Sequence, residues 1–204
     1  MNRRTTETFS YSKEARRYRN VTDGRFVSER TVRSVLDTVL DKSSERMAAL
    51  SAQLRGGELS IASWQKSMQA EIKSAHLSSL SAARGGWNQL TPADFGRAGA
   101  AIKKQYAYLQ KFAEQIYTGE QGRTKGLEAR AKLYAQSARN TYEEERRLLH
   151  KEEGFTEEKR VKAAGDSCVG CIEEAGKGWS PIGTLAGIGT VQCKSNCRCH
   201  MEYR

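Results

Sequence analysis

Apolar residues recur at helical spacing over most of this chain. After a turn at Asp23-Gly24, Val32, Val35, Leu36, Val39 and Leu40 fall at i, i+3, i+4, i+7 and i+8, which puts one apolar stripe on a helix. Ser28 supplies a side-chain cap at its start. The stripe continues through Met47, Leu50 and Leu54 until Gly56-Gly57 stops it, and Ile61, Trp64, Met68 and Ile72 restart the period in a second helix. Gly85-Gly86 makes the next break. Thr91-Pro92-Ala93-Asp94 then combines an N-cap, a proline at the first helical position and an acid in the first turn, which predicts a third helix. Its buried stripe is Ile102, Tyr106, Leu109, Phe112, Ala113 and Ile116, ending near Gly119; Gly96 and Gly99 near its start read as weak points or close-packing contacts. A fourth pattern, Leu127, Ala131, Tyr134, Ala138 and Tyr142, runs into the charged stretch Glu143 to Arg147 and stops before Gly154. An Ala and Tyr seam of this kind suits close helix packing.

The two ends depart from this pattern. Residues 1–27 are polar and basic, with Phe9, Tyr11, Tyr18 and Phe26 scattered among the charges and no single periodicity. So few apolar groups cannot offset the entropy of ordering, so the segment is expected to be a flexible arm that orders only against a partner. After Phe155 glycines become frequent and helical periodicity vanishes, which places a boundary near 155. The expected organisation is an arm over 1–27, a helical body over 28–154 and a cysteine-rich module over 155–204. Fifty residues are too few to bury a core unaided, and segments this short usually need a metal or disulfide staple. The predicted fold class is therefore mainly α: about four long helices, followed by a small Gly-rich, zinc-stapled C-terminal module with short β strands.

The candidate staple is the cysteine set. All five cysteines fall in the pattern C-x2-C-x21-C-x3-C-x-C-H, formed by Cys168, Cys171, Cys193, Cys197, Cys199 and His200. Zinc prefers four soft ligands in a tetrahedron, and two cysteine hooks separated by a loop are the usual way for a short chain to provide them. Cys168 and Cys171 form the first hook, and the other two ligands come from Cys193, Cys197, Cys199 and His200, with Cys193 plus Cys197 or Cys199 preferred. Thiols that merely pack, or disulfides, are the alternatives; six polar donors within 33 residues count against the first and the odd cysteine number against the second. A catalytic zinc would need an open position and a nearby base. Glu173 and Glu174 follow the first hook, but the His-x-Glu and Pro-Cys-x-x-Cys of a nucleobase deaminase are missing. His76 and His150 stand alone on helical stretches and read as packing or surface histidines. No nucleophile elbow, P-loop or dinucleotide fingerprint occurs, and GWSPIGTLAGIGT lacks the Lys-Ser/Thr of a phosphate cradle, so no enzyme is expected.

Charge points to partners. Lys and Arg number 34 against 24 Asp and Glu, a formal +10, which favours polyanions. From Thr156 onward the balance is only seven bases to six acids, and four thiolates on Zn²⁺ would add two negative charges, so the cysteine module is not expected to read a nucleic-acid groove. The surplus lies at the start, where residues 1–33 carry nine bases against four acids. Arg3, Arg4, Arg16, Arg17, Arg19 and Arg25 are the candidate contacts: they hold phosphates beside stacked bases, or the arm orders against a protein partner. MNRRTTETFS leads into no apolar h-region and no run approaches the ~18 apolar residues of a membrane span, so a soluble, unexported protein is expected.

A helical body followed by a Gly-rich segment, opened by "GDSCVGC" at 165–171 and closed by "CKSNCRCH" at 193–200, resembles the head morphogenesis (Mu F-like minor head protein) family of tailed phages. The likeness covers roughly the last fifty residues, including Lys159-Arg160-Val161-Lys162; over the helices it is architectural. The family's closing motif usually reads His-Pro-Asn-Cys-Arg-Cys, whereas here Cys193 stands four residues before Cys197 and the proline is missing. The resemblance implies a minor capsid protein of the virion. It would be present in several copies at the portal vertex, contact the portal protein, the major capsid protein and packaged DNA, and aid head assembly or DNA delivery after assembly in the host cytoplasm. The competing expectation is a cellular zinc-stapled protein that binds nucleic acid without reading its sequence.

Overall fold

The computed structural model describes residues 8–204 apart from 164 and 166, so Arg3 and Arg4 lie outside the described residues. Strands β1 (Phe9–Ser12), β2 (Arg17–Asn20) and β3 (Phe26–Val27) form an antiparallel meander. Four long helices follow: α1 (Glu29–Gly56), α2 (Ile61–Arg84), α3 (Pro92–Tyr117) and α4 (Lys125–Glu152). The C-terminal part holds β4 (Glu157–Val161), the short helix α5 (Val169–Gly176), β5 (Ser180–Pro181) and β6 (His200–Tyr203), with the strands in the antiparallel order β5-β4-β6. The chain is mainly helical, and no helix among the described residues is long and apolar enough to cross a membrane.

The helix ends follow their local chemistry. Ser28, Ser60 and Thr91 each accept a hydrogen bond from a backbone N–H of the first turn, and Thr91 with Asp94 completes a reciprocal capping box. Gly57 and Gly85 end α1 and α2 in the left-handed conformation that glycine adopts without a Cβ clash. Along α1, α2 and α4 the predicted stripes face one another. One core joins Met47, Leu54, Trp64, Met68, Leu109, Phe112, Leu127 and Ala131, with the Trp64 indole edge-on to Phe112 at 5.3 Å and its N–H donated to Ser51 Oγ. Ala131, Ala135 and Ala138 give α4 its small-residue seam. Gly96 and Gly99 do not serve close packing: both lie on the exposed face of α3 with open space around them.

The expected flexible arm is corrected by residues 8–27, which are ordered. Phe9, Tyr11 and Tyr18 point inward from the meander and join Val32, Leu36, Leu40, Tyr142 and Leu149 in a second core. The helices supply the apolar surface that the segment lacks by itself. Tyr18 Oη donates to the Ala82 and Ala83 carbonyls at 2.9 Å, and Tyr11 Oη donates to Glu153. Gly85 does two jobs here: its φ of +82° suits glycine, and any Cβ would collide with Tyr11, so β1 can lie directly on the end of α2. Arg146 is buried beneath the meander, 5.0 Å from the centroids of both Tyr11 and Tyr18, and donates to Glu29 and to His150 Nε2.

A buried polar layer inside the bundle carries a pH dependence. His76, 2% exposed, sits between α2 and α4 with Nδ1 2.7 Å from Thr141 Oγ1, and burial lowers its pKa to about 4 from the usual 6.5. A base with a lowered folded-state pKa contributes full stability above 6.5 and loses it as pH falls toward 4. Between pH 7 and pH 5 the melting temperature of the wild type should therefore fall more than that of His76→Gln; equal slopes in thermal denaturation would contradict this.

Candidate metal centre

The cysteine site is built by β4, α5 and the segment that returns to β6. In β4 alternate side chains face inward, and those positions are Glu158 and Arg160, both almost fully buried. Glu158 is held by the N–H groups of Gly183 and Leu185 and by Arg147 of α4 at 2.8 Å. This buried ion pair fastens the C-terminal part to the helical body. Met201 N–H donates to Glu143 across the same junction, and burial foremost raises the Glu143 pKa to about 7 despite the nearby Arg33.

Cys168 caps α5 and Cys171 lies in its first turn, so one short helix carries the first hook. Between them Gly170 lets the second segment come close: its N–H donates to Gln192 Oε1 at 2.9 Å, and a Cβ there would collide with that side chain and press on Val191. A 3-10 turn at Lys194–Asn196 links Cys193 to Cys197. Two sets of three sulfurs result, Cys168, Cys171, Cys193 and Cys171, Cys197, Cys199, each with all members within 4.8 Å of one another. Cys171 belongs to both. It lies 3.5 Å from Cys193 Sγ and 3.7 Å from Cys197 Sγ, near the roughly 3.8 Å separation of two sulfurs on a tetrahedral ion with ~2.3 Å metal–sulfur bonds. All five predicted cysteines are thus brought together as free thiols, and His200, paired with Val161 in β6, joins neither set.

Arg160 tests whether a cation fits. Its guanidinium is buried, 2% exposed, and among the described residues it makes no ion pair with a carboxylate; Glu174 senses it only at longer range. Nη2 donates to the carbonyls of Ala186 and Gly187, while Nη1 points at Cys171 Sγ, 3.3 Å away, and at Cys197 Sγ, 4.0 Å away. A buried unpaired charge costs several kcal/mol or more. Anionic sulfurs would supply its partner; burial raises the Cys171 thiol well above its usual pKa and the Cys193 thiol to about 12, and a bound cation would favour their thiolates. For Cys197 burial is outweighed by backbone N–H groups of Cys199 and Gly189, which lower its pKa. The cysteine cluster could hold a metal ion. Arg160→Leu should therefore weaken metal affinity about 10–100-fold, read by competition with a chromogenic chelator; unchanged affinity would show that the guanidinium serves packing alone.

The cysteines are evident from spacing, whereas Arg160 is hidden in the basic run Lys159-Arg160-Val161-Lys162, which the sequence marks only as part of the family likeness. A strand period was the only signal that could have shown it. The short helix α5 was also missed, because eight residues give too little periodicity. Glu174 is no free base: it accepts from Ala186 N–H and pairs with Lys177. A cleft of about 100 Å³ lies at the start of α3. Of its charged groups, Arg84, Asp94, Arg97 and Glu152 are tied together with Glu145 in one ion network, and Lys13 also lines it. The remaining predicted arm residues separate. Arg16 clamps the meander to the Glu153 carbonyl, Arg17 and Arg19 face solvent, and Arg25 lies in an exposed turn. Compared with known proteins, the chain matches no family model, no curated protein and no solved structure.

Proposed function

We propose that this chain is a structural minor head protein of a tailed phage, associated with the portal vertex, whose C-terminal module is stapled by zinc. The observation that carries the reading is the convergence of the two motifs behind the family resemblance, Cys168-Val169-Gly170-Cys171 and Asn196-Cys197-Arg198-Cys199, on one sulfur cluster against α4, in which Cys171, Cys197 and Cys199 are buried and Cys168 and Cys193 half-buried. Cys168, Cys171, Cys193 and Cys197 hold the ion, with Cys199 packed beside Cys171 as the fifth thiol. Four sulfur ligands leave no open position for water or substrate, so the metal's role is mechanical. It fixes a rigid end on a long helical body, whose other surfaces meet the portal protein and the major capsid protein.

A second reading, a cellular zinc-stapled protein that binds nucleic acid, is favoured by the exposed arginines of the meander. Reconstruction of the purified particle without imposed icosahedral symmetry separates the two. Density for several copies of the chain at the portal vertex is expected; absence of the chain from both proheads and virions would overturn the phage reading.

A further inference from the structure

The meander that replaces the expected flexible arm has two faces of different chemistry. Residues directly opposed in antiparallel strands share a face. Arg19 stands opposite Ser10 and Phe26, and Arg17 opposite Ser12, so these five residues form the outer face while Phe9, Tyr11 and Tyr18 form the inner one. The guanidinium carbons of Arg17 and Arg19 lie 4.6 Å and 4.4 Å from the centre of the Phe26 ring, which is 39% exposed. Among the described residues neither arginine makes an ion pair. The two acids of the meander, Glu14 and Asp23, sit in its turns, and Asp23 is occupied with the Arg25 N–H.

We infer that this outer face binds the phosphate backbone of nucleic acid without reading its sequence, through Arg17 and Arg19 held in place by Phe26. Two residues apart on a strand, the arginines are about 7 Å apart, a spacing that suits neighbouring phosphates along one nucleic-acid strand. Each guanidinium presents a planar fork of donors that matches phosphate oxygens, and the ring beneath restricts the long side chains before binding. Ser10 and Ser12 add hydroxyl donors on the same face. The five residues of this face include two cations and no acid, a balance that favours a polyanion. The inference rests on the head-protein reading only for naming packaged DNA as the physiological polyanion; the chemistry stands without it.

The test uses the full-length protein and a fluorescent DNA duplex of mixed sequence, with anisotropy followed from about 50 to 200 mM salt. Loss of two phosphate contacts in Arg17→Ala/Arg19→Ala should flatten the slope of log affinity against log salt by about 1.8, at ~0.9 per phosphate. Lys103→Ala/Lys111→Ala removes the same charge from exposed positions on α3 and should keep the wild-type slope. Phe26→Leu keeps both cations and should weaken binding while holding the slope. Equal melting temperatures confirm that the variants fold. The inference is overturned if both double variants change the slope alike, if neither does, or if polyglutamate competes as well as DNA at matched charge. Failure here with normal particle incorporation would leave the head-protein reading intact, while full DNA binding by a chain absent from particles would overturn that reading alone.

Discussion

Stripping the metal should unfold residues 155–204 while α1 to α4 remain helical. Apparent zinc affinity in small modules is worth ~10–16 kcal/mol, and the core it supports here is thin: beyond the cysteines it consists chiefly of Leu185, Ile188 and Met201. Substitutions should grade the effect. Cys171→Ser removes the sulfur common to both sets and should abolish metal binding, whereas Cys199→Ser removes the thiol outside the proposed quartet and should retain one ion per chain. Hydrogen exchange before and after chelation checks both the extent and the location of unfolding. Retained protection in β4 and β6 of the chelated protein would contradict the staple.

Deleting residues 2–22 should destabilise the helical body severely. The deletion takes away Phe9, Tyr11 and Tyr18, each fully or nearly fully buried, and leaves Val32, Leu36, Leu40 and Leu149 uncovered. Burying one large apolar side chain is worth about 1.5–3 kcal/mol, so three approach the whole ~5–15 kcal/mol by which a domain is stable. Arg146 would also lose both rings that cover it. Single changes should scale accordingly: Tyr18→Ala costs about 3–5 kcal/mol, and Tyr18→Phe about 1 kcal/mol through its lost hydrogen bonds to Ala82 and Ala83. Thermal denaturation of the truncated chain is the check. A melt matching that of the full-length protein would restore the picture of a dispensable arm.

The four long helices were readable because caps and stripes are local: Ser28 before Val32, Thr91 with Asp94, Gly57 and Gly85 after the last turns. The meander was not, because its strands are only two to four residues long. The alternation Phe9-Ser10-Tyr11-Ser12 and Arg17-Tyr18-Arg19-Asn20 has the period of a strand, but what orders it is an apolar surface made by helices that begin later in the chain. The same division runs through the metal centre. Cysteine spacing pointed to a cluster, while the ion pair of Arg147 with Glu158 and the placement of Arg160 on the sulfurs depend on contacts that only the folded chain creates. Charge misled in one respect. Arg16 and Arg17 are neighbours in a basic run, yet one is a structural clamp and the other faces solvent, because the β1–β2 turn sends them in different directions.

The metal content of the full-length protein, purified without chelators and assayed by elemental analysis together with its reactive thiols, tests the zinc staple. One zinc per chain is expected, with four of the five cysteines protected until the ion is removed. A metal-free protein that melts at the same temperature, with its cysteines equally reactive before and after chelator, would contradict it.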